Sequence, residues 1–293
     1  MTNLIDLLLS GVVGLVMFVL GLSLTRQDYL DLVFHPKPIL VGLLGQIVML
    51  PLVVFLFVTF LPISSAFKVG FILLSACPGG TTSGIITYLL RGNVAMSLSL
   101  TVLNSIISLF TIPAVISLAL HFFHMPDMEV VMPMGEMMSH IFLLTIVPVV
   151  LGMIVRKMRS QLSLRLQVPL KLVVLLLLAF VFGVKFFAGE SHGGAALERS
   201  EMVILFPLAV LFNMVGFVAA VLLSSITRLG KDLRLTAAIE IAVQNSSLAM
   251  LISGTLLQSQ AMLRPSLVYA MTSFWITLLF GFLYKKSVMR ELK

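Results

Sequence analysis

Charge is what this sequence has least of. Of its 293 residues only 11% are Asp, Glu, Lys or Arg, 59% are apolar, and the mean hydropathy is +1.14. A soluble domain carries about twice that charge fraction, and the polar residues available cannot cover an aqueous surface. A soluble enzyme, a disordered chain, a fibrous repeat and a nucleic-acid binder are therefore excluded. Cysteine is nearly missing: Cys77 stands alone, so there is no disulfide framework and no CxxC metal site. Histidine is scarce, and His35, His121, His124, His140 and His192 all fall in loops or at the ends of apolar runs. Residues 1–6 lack a basic run, and the apolar segment that follows is long enough to span, so no cleavable signal is expected.

What is present in quantity is apolar helix. A bilayer-crossing helix takes about 20 residues, and hydropathy gives nine candidate spans, near 4–24, 39–61, 66–90, 93–120, 137–156, 167–187, 201–226, 233–257 and 265–285. The expectation is an all-α, polytopic, multi-pass membrane protein in one transporter-sized domain, 1–293. With nine spans drawn, 15 of the 19 basic residues lie on one side, and only Lys68, Lys185, Arg199 and Arg264 on the other. Because Lys and Arg collect in cytoplasmic loops, this places the N-terminus outside the cell membrane and the C-terminus in the cytoplasm. The net charge of +7 follows from the same loops and calls for no anionic macromolecule.

Two spans are interrupted. The third carries Pro78-Gly79-Gly80-Thr81-Thr82-Ser83-Gly84, and the eighth carries Gln244-Asn245-Ser246-Ser247, about 162 residues further on. The first and sixth spans share that offset. The members of each pair are five places apart in span order, an odd number, so a second repeat (about 137–285) is inverted relative to the first (about 4–120), leaving the fifth span unpaired. Paired interrupted helices in inverted halves point to a secondary transporter's binding site. Independent kinks, which membrane helices tolerate, explain one break better than two in register.

Glu240 is the only acid well inside a span, some ten residues past Gly230. That is about 15 Å along a helix, half the hydrocarbon thickness. A carboxylate there is by default an ion or proton site, and no Lys, Arg or His inside another span is expected as its partner. Gln244 lies one turn on, along the same face. The fourth span adds a polar stripe, Ser97, Thr101, Asn104, Ser105, Ser108 and Thr111. For Ser105, Ser108 and Thr111, packing or bonding to the preceding turn is the better reading; Asn104 is a candidate substrate contact. Thr81, Thr82 and Ser83, like Asn245, Ser246 and Ser247, are N-cap types at the starts of second half-helices, whose free N–H groups and positive dipole ends favour an anion. Carbonyls with Glu240 and Gln244 supply oxygens suited to a hard cation. Cation-coupled uptake of an organic anion is the function these residues suggest.

Three stretches, Cys77-Pro78-Gly79-Gly80-Thr81-Thr82-Ser83 with Tyr88-Leu89-Leu90-Arg91-Gly92-Asn93-Val94-Ala95, then Ile239-Glu240-Ile241-Ala242-Val243-Gln244-Asn245-Ser246, and Gln46 before Met49-Leu50-Pro51, resemble the bile acid:sodium symporter family. The likeness covers essentially the whole chain, minus the first helix of ten-helix members. It implies two crossed discontinuous helices in a core domain set against a panel domain. It also implies one or two sodium ions, the first on Ser83, Ser97, Thr101 and Glu240. The second would lie on Gln46, Glu240, Gln244 and the carbonyls of Ile241 and Val243. Substrate, a bile acid or a small pantoate- or pyruvate-like carboxylate, would meet Thr81, Thr82 and Asn245. Two departures stand out: Gly84 replaces the Asn that usually joins the first sodium site, and Ile276 follows Trp275 where many members have His.

Two rivals remain from the residues alone. Glu240 serves equally well as a proton carrier in a proton-coupled exporter. Ser83 in its Gly-rich break could be an intramembrane protease nucleophile, but that needs a base within hydrogen-bond reach, and the histidines lie elsewhere.

Overall fold

Stretches such as 172–184 are apolar on every side, the mark of a helix buried all round or sunk in lipid. The computed structural model describes residues 4–24, 36–125, 134–189 and 193–290, and it is helical throughout, with no β-strand among the described residues. In chain order the helices are α1 (Leu4–Ser23), α2 (Pro36–Thr59), α3 (Ser65–Ala76), α4 (Thr81–Leu89), α5 (Val94–Phe122) and α6 (Met134–Met158). They continue as α7 (Ser160–Phe187), α8 (Arg199–Ile226), α9 (Lys231–Ala242), α10 (Ser246–Leu256) and α11 (Gln260–Arg290). Seven of these, α1, α2, α5, α6, α7, α8 and α11, are long and apolar enough to cross a membrane. The outward faces carry exposed large apolar side chains, among them Leu172, Leu176, Phe206, Leu222 and Trp275, a belt suited to acyl chains rather than water. This is a multi-pass membrane protein.

The helices sort into two groups. In the first, α1 packs most extensively on α6 and α7. At the closest point, a Cβ on Gly21 or on Gly152 would run into the other helix's backbone, the small-residue contact by which membrane helices approach. Lys185 in α7 is fully buried and its Nζ lies 2.7 Å from Asp6 Oδ1 in α1. A cation therefore does lie inside another helix, contrary to the sequence expectation, but a nearer acid neutralises it. In the second group, α8 and α11 pack on each other and carry α9, α10 and α3, with α2, α4 and α5 closing round them. Phe212 sits at its centre, its ring 5.9 Å from Phe71 and 5.2 Å from Tyr269.

Two of the long helices widen by one π-type turn, at Gly45–Met49 in α2 and Phe142–Ile146 in α6. Each turn runs up to a proline, Pro51 or Pro148, which lacks an N–H and crowds the carbonyl four residues back. Such turns are frequent at functional sites, and the first holds Gln46.

Candidate functional site

The segments between α3 and α4 and between α9 and α10 meet each other. Cys77 precedes a proline, which biases it away from the α region, and it is extended (φ −69°, ψ 149°). Pro78, Gly79 and Gly80 then have nothing to continue a helix with. The second break, Val243–Asn245 in the chain, contains neither glycine nor proline, yet Val243 leaves the helix at φ −103°, ψ 102°. The two unwound strips lie antiparallel and serve each other: Gly80 N–H donates to Val243 O at 2.8 Å, and Asn245 N–H to Pro78 O at 2.9 Å. Unwound backbone at membrane depth needs internal partners, and each break is the other's partner.

The carbonyls left at the ends of the first half-helices are also met. Gln46 Nε2 donates to Cys77 O at 2.8 Å. Asn213 Nδ2 donates to Ala242 O at 3.0 Å, and the Tyr269 hydroxyl donates to the same oxygen. Thr277 completes the cluster through Asn213 Nδ2 at 2.8 Å. Asn213, Tyr269 and Thr277 escaped the reading of the sequence, although an Asn in the middle of apolar α8 was a usable signal.

Glu240 is fully buried on α9, with its carboxylate against the first break. A Cβ on Gly79 would overlap Glu240 Oε1, so only glycine lets the carboxylate approach there. Ser83 Oγ on α4 donates to Oε2 at 2.8 Å, and Ser97 Oγ on α5 donates to the same oxygen at 2.7 Å. Thr101 Oγ1 donates to Oε1. Three hydroxyls from two helices thus converge on one carboxylate, and hydrogen bonds to a charged group each contribute about 1.5–3 kcal/mol. Glu240 has no cationic partner among the described residues.

Beside it lies an amide pair. Gln46 Nε2 donates to Gln244 Oε1 at 2.7 Å, and Gln244 Nε2 donates to Ile241 O at 2.5 Å. The structure therefore gathers Ser83, Ser97, Thr101 and Glu240 into one cluster and Gln46, Ile241 and Gln244 into a neighbouring one. Val243 O is engaged by Gly80. Among the described residues no three His, Cys, Asp or Glu side chains converge on a metal-binding point. The donors are oxygens, and one formal charge stands among them. That chemistry fits a hard monovalent cation better than a divalent or a transition metal.

A cavity of about 340 Å³ opens on the other side of the first break. Gly80, Thr82, Ser83 and Gly84 form its crossover wall, Thr101 and Leu98 come from α5, and Val16, Leu20, Val174 and Leu178 face them from α1 and α7. Ser83 and Thr101 thus belong to the carboxylate cluster and to the cavity wall together. Of the expected substrate contacts, Thr82 lines this cavity, while the side chain of Thr81 lies outside the described residues. Gly80 caps α4, not a Thr or Ser. Asn245 does cap α10, its Oδ1 accepting from Leu248 N–H at 3.0 Å, and its Nδ2 has no partner. Asn104 is buried with both amide atoms unpartnered, and Ser246 is buried; neither lines the cavity. Ser105 and Ser108 bond the preceding turn through Thr101 O and Ser105 O.

The profile of the Sodium Bile acid symporter family matches residues 11–191, a stretch that holds the first break and ends before the second. The chain is 27% identical over 235 residues to an uncharacterized sodium-dependent transporter, YocS, of Bacillus subtilis, covering 80% of this chain and 70% of that protein. It is 27% identical over 248 residues to the probable sodium/metabolite cotransporter BASS2, chloroplastic, of rice (85% of this chain, 56% of that one). It is also 24% identical over 236 residues to the sodium-dependent organic anion transporter of Bos taurus (80% and 60%). The match spans under two thirds of the plant and bovine proteins. With a profile match over more than half its length, the chain belongs to the sodium bile acid symporter family.

Proposed function

We propose that this protein is a sodium-coupled symporter that carries an organic anion into the cell. The observation that carries the reading is the double role of Ser83 and Thr101. Their hydroxyls hold the Glu240 carboxylate, and both residues form part of the cavity wall. A cation held by the Glu240 carboxylate, within the cluster or on its Gln46–Gln244 side, competes for the oxygens to which these hydroxyls donate, so the hydroxyls shift and the wall that substrate touches changes with them. That shared wall is a physical route for coupling, since each ligand then favours the state that binds the other.

The similar proteins whose names carry sodium support the choice of ion. In this reading sodium sits on Ser83, Ser97, Thr101 and Glu240, and on Gln46, Glu240, Gln244, Ile241 and Val243. Gly84 weakens the first of these sites. The substrate lies across the α4 N-terminus at Thr82, with Thr81, Asn104, Asn245 and Ser246 as further contacts reached in other states of the cycle.

The architecture belongs to the same proposal. The order long, long, broken, long occurs twice, as α1, α2, α3–α4, α5 and as α7, α8, α9–α10, α11. Counting each broken pair as one crossing gives nine spans in two inverted repeats, with α6 left over. The group α1, α6 and α7 is then the panel and the remainder the core. The N-terminus lies outside and the C-terminus in the cytoplasm. Against a protease, His121 lies some 20 residues along α5 from Thr101, about 30 Å, and cannot serve Ser83.

A thermal-shift comparison at constant pH and ionic strength tests the coupling ion. Sodium is expected to raise the melting temperature of the purified protein above its value in potassium, because a ligand bound only to the folded state stabilises it. An identical melting temperature in both salts, with a response to pH instead, overturns sodium in favour of the proton.

A further inference from the structure

The cavity in front of the crossover is built from four helix faces, and one charge stands on them. From α7 come Lys171, Val174, Leu175 and Leu178, spaced three and four apart so that they form a single stripe. Facing it, α1 supplies Val16, Val19, Leu20 and Ser23 with the same spacing, and Leu98 and Val94 of α5 close the side. The cavity is partly open, with a volume of about 340 Å³. Among the described lining residues Lys171 alone is charged; it is exposed, and it forms no ion pair with a described residue. Basic residues on the cytoplasmic side usually need no explanation beyond topology. Lys171 is different in place: it lines the same cavity as Thr82 and Ser83.

Charge balance gives that place a meaning. The carboxylate cluster and one sodium ion together are neutral, so an anionic substrate's own charge is left over in a largely apolar chamber. An unpaired charge in such surroundings is costly, and Lys171 is the group that can neutralise it. We propose that Lys171 is the anion-recognition residue of the cavity, where it holds the organic anion of the proposed symport as an amphipathic monoanion. Its acidic group pairs with Lys171 Nζ, and its compact apolar body lies along Val16, Leu20, Leu98, Val174 and Leu178. The inference rests on the reading of this cavity as the substrate site. It selects against the smallest and most polar acids, which leave those faces without a partner.

The probes are adamantane-1-carboxylate, the neutral and isosteric adamantane-1-carboxamide, and acetate, each titrated calorimetrically into the purified protein in sodium and in potassium. The native protein is expected to bind the carboxylate at least tenfold more tightly than either the carboxamide or acetate. Lys171→Gln is expected to lower carboxylate affinity tenfold or more while carboxamide affinity stays within twofold. Lys171→Arg, which keeps the charge, is expected to recover most of the loss. The sodium-induced rise in melting temperature, read without any anion, is expected to persist in Lys171→Gln and so certifies that the variant is folded. An unchanged carboxylate-to-carboxamide ratio in Lys171→Gln overturns the assignment of Lys171. Acetate binding as tightly as adamantane-1-carboxylate overturns the amphipathic class, and so does the absence of binding by all three probes. The coupling reading fails separately: if sodium changes neither melting temperature nor carboxylate affinity, yet the ratio collapses in Lys171→Gln, sodium is lost and the anion site stands.

Discussion

The two breaks do the same structural work with different sequences. The first unwinds because its own residues forbid anything else: a proline, then two glycines. The second, Val243-Gln244-Asn245, is chemically able to remain helical and is pulled out by its surroundings. Gly80 N–H takes the Val243 carbonyl, Asn213 and Tyr269 take that of Ala242, and Asn245 caps the helix that follows. One break is written locally and the other is imposed by tertiary contact, so one can be read from a line of sequence and the other cannot. The pairing also divides labour. The glycine strip offers the space, and α9 with the strip that follows it offers Glu240 and Gln244 to fill it.

Removing the group that joins the breaks has the largest expected effect. Glu240 stands on the second broken helix and is gripped by Ser83 of the first. Glu240→Gln keeps the volume and removes the charge. The sodium-induced shift in melting temperature is expected to vanish in it, and in Glu240→Ala as well. Measured side by side in sodium and potassium, a retained shift in either variant shows that the cation binds elsewhere.

A matched pair sharpens the comparison next. At the locally written break, Gly79→Ala places a methyl group on Glu240 Oε1, and overpacking of this kind costs about 1–3 kcal/mol. At the imposed break, Asn245→Ala removes a cap worth about 1 kcal/mol and nothing else that the structure records. Denaturation of both variants in potassium is expected to rank Gly79→Ala as the more damaging. Only Gly79→Ala is expected to lose most of the sodium response as well, since its methyl displaces the carboxylate itself. The reverse ranking would mean that the Asn245 cap, and not the glycine gap, holds the crossover together.

The same asymmetry governs what could be read in advance. Long apolar runs and the Pro-Gly-Gly interruption announce helices and a break by composition alone, and Glu240 announces itself by being an acid at membrane depth. The partners of Glu240 were half legible, because Ser97 and Thr101 share a helical face, while Ser83 joins them only once the chain has crossed itself. Asn213, Tyr269 and Thr277 are separated by 56 and 64 residues along the chain, and no local pattern ties them to the Ala242 carbonyl. Lys185 was misplaced for a related reason. Near the end of an apolar run a lysine looks like a loop residue, and only the fold brings Asp6 against it.

Gly84 is the position where the first break departs from the family resemblance, and it carries the smallest expected effect. In α4 a Cβ at Gly84 would meet only Leu98 Cδ2, at 3.8 Å, so the first carbon of an Asn side chain is accommodated there beside the cavity. Asn is also a slightly better helix residue than Gly, by a few tenths of a kcal/mol. The native site then has one amide oxygen fewer around the carboxylate cluster than the variant. Thr87 is the candidate substitute: it lies one turn beyond Ser83, and its hydroxyl is fully buried with no hydrogen-bond partner. Its methyl lies beside Gly92, and its hydroxyl is not among the donors to Glu240, which are Ser83, Ser97 and Thr101. Calorimetric sodium titration of the native protein is therefore expected to give a Hill coefficient near one, with the ion on the Gln46–Gln244 side, and a higher coefficient in Gly84→Asn. Two cooperative ions in the native protein, reduced to one by Thr87→Val, would show instead that Thr87 reaches the cluster and that Gly84 costs the first site nothing.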